Sequence, residues 1–336
     1  MMLSPSYFIF LPTLILGSFL TISSSSWLTA WIGLELNLLS FIPLICSNSS
    51  PYLSEAALKY FLIQAISSTI IVMSSSLQLL NTSIYSFMLM LSLIMKLGAA
   101  PFHFWLPQII DGLLWHQVFI MLTIQKLAPL YMISHLLFNK ELLMIILVSS
   151  SFSALLGALG GFNSMKLRKI IAYSSINHLS WMLLAIMLNE MIFLLYFIFY
   201  IMISFSVIFL FYLLRAYHMN DLLNFGPATP FHSFLIPLSL LSLGGLPPFS
   251  GFLPKWIMIE TMMQANMYIL LSVLLFSALV TLFFYIRISI PLMLMVSPSL
   301  SLNIKFFKYN YKSLFVYTLF FFNIFMFLIP ATFFSL

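Results

Sequence analysis

Two segments in different halves of the chain share the pattern Pro-Phe-x-x-aromatic-Leu-Pro. They are Pro101-Phe-His-Phe-Trp-Leu-Pro107 and Pro248-Phe-Ser-Gly-Phe-Leu-Pro254. Each lies inside a long apolar segment and has a lysine close by, Lys96 or Lys255. Proline breaks a helix, and a broken helix is stable at membrane depth only where it lines a cavity or packs against protein. Corresponding breaks in two halves of a chain therefore indicate a transport site.

Apolar segments recur along the whole chain with the length that a hydrocarbon core of about 30 Å requires. Hydrophobic residues make up 62% of the sequence and charged residues 6%. This composition predicts an all-α polytopic membrane protein, built as a single integral membrane domain. We predict about eleven transmembrane helices, at 3–22, 27–46, 56–80, 84–112 (broken near Pro101), 113–138, 141–162, 168–189, 191–216, 234–264 (broken near Pro248), 267–295 and 313–334.

Basic residues test this helix order, because they collect in loops on the inner side of a membrane. With the predicted order they fall on one face, and Lys140 is the exception on the other. The rule places the N-terminus on the inner side and the C-terminus outside. Topology and anionic lipid headgroups then account for the net charge of +6, without nucleic acid. The basic loop residues are Lys59, Lys166, Arg168, Lys169, Arg215, Lys305, Lys308 and Lys312.

Several charged residues fall inside predicted helices rather than in loops. Glu35 and Lys126 lie near the middle of theirs, and Lys96 and Lys255 flank the two breaks. A charge at mid-bilayer costs roughly 2.5 to 3.5 kcal/mol even on translocon scales, so it usually faces the bundle interior and marks an ion or proton pathway. The alternative is a structural ion pair. Arg287 lies near the inner end of its helix, where it can snorkel or serve packing.

A buried lysine next to a carboxylate is suited to exchanging a proton. Burial disfavours the ammonium by roughly 4 to 7 kcal/mol, and a carboxylate at about 4 Å returns roughly 4 kcal/mol at an effective dielectric near 20. Because the two effects are similar, moving Glu35 relative to Lys96 would load or release a proton. Whether these two side chains are neighbours stays open at this point.

A second polar stripe lies on the seventh predicted helix, where Ser174, His178 and Trp181 share one face. Histidine titrates near neutral pH and serves in intramembrane relays, although a lone buried histidine is as readily a hydrogen-bonded packing residue. Serine in a membrane helix usually bonds to its own helix. Other polar residues that could extend a route are Ser67, Ser68, Thr69 and Gln125.

Four segments surround the lysines and the histidine singled out above. They are Met95-Lys-Leu-Gly-Ala-Ala-Pro-Phe-His-Phe-Trp-Leu-Pro-Gln108, Gln125-Lys-Leu-Ala-Pro129, Lys169-Ile-Ile-Ala-Tyr-Ser-Ser-Ile-Asn-His-Leu-Ser-Trp181 and Gly244-Gly-Leu-Pro-Pro-Phe-Ser-Gly-Phe-Leu-Pro-Lys-Trp256. With these segments the chain resembles, over nearly its whole length, the antiporter-like membrane-arm subunits of respiratory complex I, the mitochondrial NADH:ubiquinone oxidoreductase. These subunits are related to those of multi-subunit cation/proton antiporters.

The resemblance implies two inverted five-helix repeats, approximately 3–138 and 141–295, followed by a C-terminal helix at 313–334. It implies proton translocation coupled to electron transfer elsewhere in the complex. The proton-transfer residues are expected to be Glu35, Lys96, Lys126 and Lys255, the set that position alone singles out, with His178 added from the seventh helix. Asn177 and Ser180 depart mildly from the small residues expected there. The chain begins at what would be the fourth helix of bacterial relatives, so partner subunits or lipid are expected to fill that flank.

The same resemblance implies an enzyme subunit without a redox centre, cofactor or metal of its own. FMN, iron–sulfur clusters and ubiquinone are expected in other subunits of the complex. Expected partners are the other membrane-arm and accessory subunits and phospholipid, with no nucleic acid. The expected location is the mitochondrial inner membrane, with the N-terminus on the matrix side and the C-terminus on the intermembrane side, and no cleavable targeting peptide.

Two other classes of membrane protein can be weighed against this expectation. A free-standing cation/proton antiporter uses the same buried charges and is the main alternative. A haem-bearing cytochrome needs facing pairs of histidines, and only His178 falls at mid-membrane. The single cysteine, Cys46, offers no iron–sulfur or thiolate zinc site, and no segment carries the glycine-rich turn of an NADH site.

Overall fold

The computed structural model describes residues 5–47, 50–78, 84–137, 140–225, 230–247 and 249–294. Pro248 and the predicted C-terminal helix at 313–334 lie outside these residues. All regular elements in the described part are helices, with one isolated bridge between Lys166 and His218. The helices are α1 (Pro5–Ile22), α2 (Trp27–Ile45), α3 (Pro51–Gln78), α4 (Ile84–Leu97), α5 (Trp105–Gly112), α6 (Trp115–Leu122), α7 (Ile124–Leu136), α8 (Lys140–Phe162), α9 (Leu167–Leu188), α10 (Glu190–Leu214), α11 (Met219–Phe225), α12 (Pro230–Gly244), α13 (Phe252–Gln264) and α14 (Tyr268–Leu294).

The helices have the length and composition of membrane spans. Among the described residues, seven helical segments are long and apolar enough to cross a membrane: Trp27–Ile45, Pro51–Gln78, Trp115–Leu136, Glu141–Phe162, Leu167–Leu188, Glu190–Leu214 and Tyr268–Met293. Shorter apolar helices are Tyr7–Ile22, Ile84–Leu97 and Leu235–Gly244. Each predicted span up to residue 295 has a helical counterpart, so the all-α polytopic fold is confirmed.

Two local features differ from the sequence prediction. The predicted continuous span 113–138 is interrupted at Thr123, between α6 and α7, where ψ is −78° and the Thr123 amide is shared between the carbonyls of Phe119 and Ile120 at 3.1 and 3.4 Å. The predicted linker 219–231 contains the short helix α11. The carboxylate of Asp221 accepts hydrogen bonds from the amides of Tyr217 and His218 at its start, at 2.9 and 2.8 Å.

The chain forms two compact units, which divide within α8 between Leu156 and Gly157. Unit 1 (residues 1–156) contains α1 to α7 and most of α8, and unit 2 (residues 157–336) contains the end of α8 and α9 to α14. In unit 1, α1 and α2 touch through backbone. A Cβ atom on Gly17 would lie 2.9 Å from the carbonyl of Gly33, and one on Gly33 would lie 2.8 Å from the carbonyl of Gly17. Small residues allow this close approach of membrane helices.

The first break, residues 98–104 between α4 and α5, begins at a glycine rather than at the proline. Gly98 has φ +69° and donates its amide to Met95 at 3.1 Å, while Ala99 donates to Ile94 at 3.2 Å. This pair of bonds is a Schellman motif, which satisfies carbonyls at the end of a helix and requires a left-handed residue. The helix therefore ends before Pro101 is reached.

The second break, residues 245–251 between α12 and α13, is built in the same way. Gly245 has φ +78° and donates to Ser242 at 3.0 Å, while Leu246 donates to Leu241 at 3.3 Å. Both breaks thus use one left-handed glycine and the same two hydrogen bonds. The prolines in the sequence indicated that the two breaks are equivalent. In the structure, the two glycines give the breaks the same local geometry.

Candidate functional site

In unit 1, a small cavity of about 20 Å³ brings together residues of α2, α3, α4 and α7. This is room for at least one water molecule where polar partners are present. Five of its lining residues are polar and come from helices far apart in sequence. The lining residues are Leu34, Asn37, Leu38, Tyr60, Gln64, Lys96, Gln125 and Pro129.

Amide side chains and one tyrosine form a hydrogen-bonded frame around this cavity. Gln64 donates to the carbonyl of Lys96 at 3.3 Å, Tyr60 donates to Oε1 of Gln125 at 3.1 Å, and Gln125 donates to the carbonyl of Asn37 at 3.4 Å. The Oδ1 atom of Asn37 is buried and has no partner among the described residues. A buried acceptor without a partner is costly, so this atom favours a bound water molecule or an ammonium nearby.

Lys96 and Glu35 are neighbours in unit 1 without forming a direct ion pair. Lys96 is 7% exposed and lies in the last turn of α4, where the helix dipole favours a cation. Glu35 is half-buried on α2 and interacts electrostatically with both Lys96 and Tyr60. No ion pair within 4.0 Å joins Glu35 to Lys96.

Lys255 reaches back across the second break. It is 7% exposed on α13, and its ammonium donates a hydrogen bond of 2.6 Å to the carbonyl of Gly244, the last residue of α12. The side chain passes directly over Gly245, where a Cβ atom would lie 2.8 Å from Cδ of Lys255. Lys96 and Lys255 differ in sequence position, yet each is associated with the last turn of the helix before its break. The carbonyl end of a helix attracts cations, so both sites favour a positive charge.

A tryptophan takes the corresponding place at the first break. Trp105 on α5 donates its indole N–H to the carbonyl of Met95 at 3.1 Å. Its ring covers Gly98, where a Cβ atom would lie 3.1 Å from Cζ2. Each break is therefore closed by a side chain from the following helix that binds a carbonyl of the preceding one.

His178 lies half-buried on α9 in unit 2, beside the second break. Its Nδ1 atom is 3.0 Å from the hydroxyl of Tyr196, and its ring centroid is 5.2 Å from that of Tyr200. It also lines a cavity of about 10 Å³. The other lining residues are Tyr196, Tyr200, Ile203, Leu243, Gly251 and Pro254. The structure thus gives His178 a hydrogen-bonding partner and places it near the helix that carries Lys255.

Lys126 is 2% exposed on α7 and follows the interruption at Thr123, to whose carbonyl its amide donates at 3.1 Å. Its sequence neighbours Gln125 and Pro129 line the cavity of unit 1, whereas Lys126 itself does not. The structure therefore places Lys96 at one cavity with Glu35 nearby, and His178 and Lys255 around the second break. Lys126 lies on the helix beside the first of these.

Other polar residues named from sequence have local roles. Ser67, Ser68 and Thr69 each donate to the carbonyl three residues earlier in α3, at 2.7 to 2.8 Å, as the alternative interpretation predicted. Arg287 binds the carbonyls of Phe162 and Ser164 at 2.7 and 2.9 Å, so it closes the end of α8.

Sequence reasoning missed part of both sites. Asn37, Tyr60 and Gln64 in unit 1 and Tyr196 and Tyr200 in unit 2 were not predicted. Their signal was present in the sequence, because amides are rare in apolar helices and each of these residues lies within a predicted span. What the sequence could not supply was which of them face the same cavity.

Comparison with known proteins gives matches over most of the chain. The family model described as "NADH:quinone oxidoreductase/Mrp antiporter, TM" matches residues 24–281. NADH-ubiquinone oxidoreductase chain 2 of Anopheles gambiae is 46% identical over 291 residues, which cover 84% of both chains. The protein of the same name from Mus musculus is 38% identical over 299 residues, covering 85% of this chain and 86% of its own.

Two solved structures have a similar fold. One is a chain of respiratory complex I from Thermus thermophilus, with a TM-score of 0.82 and 22% identity, covering 97% of this chain and 78% of that chain. The other is a chain of the Mrp complex from Dietzia sp. DQ12-45-1b, with a TM-score of 0.72 and 16% identity, covering 83% of this chain and 59% of that chain.

Proposed function

This chain belongs to the NADH:quinone oxidoreductase/Mrp antiporter family of membrane proteins, and from that premise we propose that it translocates protons as an antiporter-like subunit of the membrane arm of complex I. Translocation is coupled to electron transfer in other subunits. The proposed proton-transfer residues are Glu35, Lys96, Lys126, His178 and Lys255. The observation that carries this proposal is buried Lys96 in unit 1, which lines a polar cavity and lies near the carboxylate of Glu35 without pairing to it.

The geometry of that cavity suits reversible protonation. As an ammonium, Lys96 is favoured by the carboxylate of Glu35 and by the carbonyl end of α4. As a neutral amine, it is favoured by burial. A change in the distance to Glu35 therefore shifts the balance between the two forms. Moving one charge against 100 mV requires about 2.3 kcal/mol, which is within the range of these opposing effects.

The redox chemistry belongs to other parts of the complex under this proposal. FMN, iron–sulfur clusters and ubiquinone are used by other subunits, and this chain contributes no redox centre. Its partners are the other membrane-arm and accessory subunits together with phospholipid. It lies in the mitochondrial inner membrane with its N-terminus on the matrix side and its C-terminus on the intermembrane side, as the distribution of basic loops supports.

A stand-alone or multi-subunit cation/proton antiporter is the second candidate, favoured by the fold similarity to the Mrp complex. The two candidates differ in their partners. Native electrophoresis with mass spectrometry separates them, because a complex I subunit migrates with NADH dehydrogenase activity. Migration without that activity would favour the antiporter.

The test of proton translocation is Lys126→Ala in the assembled complex in sealed vesicles. We expect fewer protons pumped per electron pair, because the substitution removes a buried group that binds and releases a proton. Lys59→Ala is the matched control, since Lys59 is an exposed lysine paired with Glu55 on the surface of α3 and such pairs contribute little. An unchanged stoichiometry in the Lys126 variant, with assembly intact, would contradict the role given to this residue.

A further inference from the structure

Unit 2 contains three buried tyrosines between α9 and the second break: Tyr196 and Tyr200 on α10 and Tyr285 on α14. We call them the tyrosine cluster. The side chains of Tyr196 and Tyr200 lie near each other and near that of Tyr285. Three hydroxyls therefore lie in one region of unit 2. None of the three is among the proton-transfer residues proposed above.

At one end, the tyrosine cluster is hydrogen-bonded to His178. The hydroxyl of Tyr196 is hydrogen-bonded to Nδ1 of His178 at 3.0 Å. His178, Tyr196 and Tyr200 line one cavity of about 10 Å³. The cavity therefore brings the side chains of His178, Tyr196 and Tyr200 together.

At its other end, the tyrosine cluster lies next to the second break. The same cavity is also lined by Leu243, Gly251 and Pro254, and Pro254 precedes Lys255 in α13. The ring of Tyr285 packs against Gly244, where a Cβ atom would lie 3.4 Å from Cδ2. Gly244 is the residue whose carbonyl accepts the hydrogen bond from the Lys255 ammonium. The cluster thus extends from His178 to the residue that binds Lys255.

Phenylalanine would pack at position 285 as well as tyrosine does, so packing does not account for the hydroxyl. The side chain is 1% exposed, and its oxygen has no hydrogen-bond partner among the described residues. Ser174 on α9 approaches this hydroxyl and donates its own hydrogen to the carbonyl of Ile171. An unpaired buried hydroxyl costs about 1 to 3 kcal/mol, and the chain is rich in phenylalanine, including the fully buried neighbour Phe284. A tyrosine at this position points to a use for its oxygen.

We propose that the tyrosine cluster carries protons between Lys255 and His178, an inference that rests on the proton translocation proposed for this chain. In one passage, the Lys255 ammonium releases a proton, and each hydroxyl accepts a proton on its oxygen while passing its own hydrogen onward. The last hydrogen goes from Tyr196 to Nδ1 of His178. The net result is a neutral lysine and an imidazolium, with every tyrosine unchanged and no electron transferred.

The test compares three hydroxyl deletions in the assembled complex in sealed vesicles: Tyr285→Phe, Tyr196→Phe and Tyr200→Phe. Each keeps the ring and removes only the oxygen. We expect the number of protons pumped per electron pair to fall to the value found with Lys126→Ala, because each deletion interrupts the same route. The matched control is Tyr173→Phe, a tyrosine of α9 whose ring packs against Gly160 outside the cluster; it should retain the wild-type stoichiometry.

The outcomes separate this inference from the function on which it rests. If Lys126→Ala lowers the stoichiometry and all three tyrosine variants pump normally, the cluster is structural and the inference is wrong. A loss confined to Tyr196→Phe also overturns it, because that hydroxyl would then only orient His178. If Tyr285→Phe prevents assembly, Tyr200→Phe decides the question, since Tyr200 lies inside the cluster next to Tyr285.

Discussion

The ammonium of Lys255 is hydrogen-bonded to the carbonyl of Gly244 at 2.6 Å, across the break that separates α12 from α13. At the first break the same position is filled by the indole of Trp105, which binds the carbonyl of Met95. An indole N–H does not titrate in the physiological range, whereas a lysine gains and loses a proton. The bond that closes the second break is therefore stronger when Lys255 is charged, whereas the bond that closes the first does not depend on protonation.

Replacing Lys255 by methionine should loosen the second break. The variant Lys255→Met keeps most of the side-chain volume and leaves the Gly244 carbonyl without its charged donor. Hydrogen bonds to charged groups contribute about 1.5 to 3 kcal/mol, so amide exchange in the segment 241–251 should accelerate by about one to two powers of ten. Hydrogen-exchange mass spectrometry of the assembled complex measures this. Trp256→Phe, at a 41% exposed position on the same helix, is the control and should leave exchange unchanged.

Replacing Gly98 by alanine should destabilise the first break. At φ +69° an alanine costs roughly 1 to 2 kcal/mol, and its Cβ would lie 3.0 Å from Leu106. We expect the complex to dissociate at a lower temperature on native gels. The control Gly244→Ala is at a helical residue where the nearest contact to a new Cβ is 3.4 Å. Equal thermal stability of the two variants would refute the role given to the left-handed glycine.

Neutralising Glu35 should weaken proton translocation with little effect on folding. Glu35→Gln removes the charge that acts on Lys96 while preserving shape, so we expect fewer protons per electron pair in sealed vesicles. Glu55→Gln serves as the control because Glu55 is 61% exposed and forms an i,i+4 surface pair with Lys59. Such a pair contributes about 0.3 to 0.5 kcal/mol. If both variants pump alike, the electrostatic coupling of Glu35 to Lys96 has no part in translocation.

Removing the buried amide of Gln117 should affect assembly rather than pumping. Gln117 donates to the carbonyls of Leu44 and Ile45 at 2.8 and 3.2 Å and accepts from the amide of Leu114 at 2.9 Å. Gln117→Leu removes all three hydrogen bonds, at a cost of about 1 to 3 kcal/mol for each backbone group left unpaired. The yield of assembled complex should fall, and the stoichiometry of the assembled fraction should stay normal. Gln108→Leu, at an exposed site, should assemble fully.

The helical architecture could be predicted because a bilayer leaves few alternatives. Each predicted span up to residue 295 matches a helix or a pair of half-helices, since backbone groups in lipid must be satisfied within the segment. The two breaks were also predicted, although the glycines Gly98 and Gly245 end the helices rather than the prolines. The interruption at Thr123 was missed because neither glycine nor proline stands there, and the nearest proline, Pro129, lies well inside α7.

The charged residues of the site could be predicted, and their partners could not. A lysine or glutamate in an apolar helix is visible in sequence because it is costly there. The return of Lys255 to Gly244 depends on the angle between α12 and α13, which the sequence does not specify. The frame of Asn37, Tyr60, Gln64 and Gln125 likewise depends on how α2, α3 and α7 are rotated about their axes. Amphipathic periodicity is weak in helices that are apolar on all sides, so it gave no guide to those rotations.

The contact of α1 with α2 through Gly17 and Gly33 bears on how Glu35 can move. Helices in direct backbone contact move together as one rigid pair. Glu35 is two residues from the contact between α1 and α2. A tilt of α1 would therefore carry α2 with it and change the distance between the Glu35 carboxylate and Lys96, without any change of rotamer.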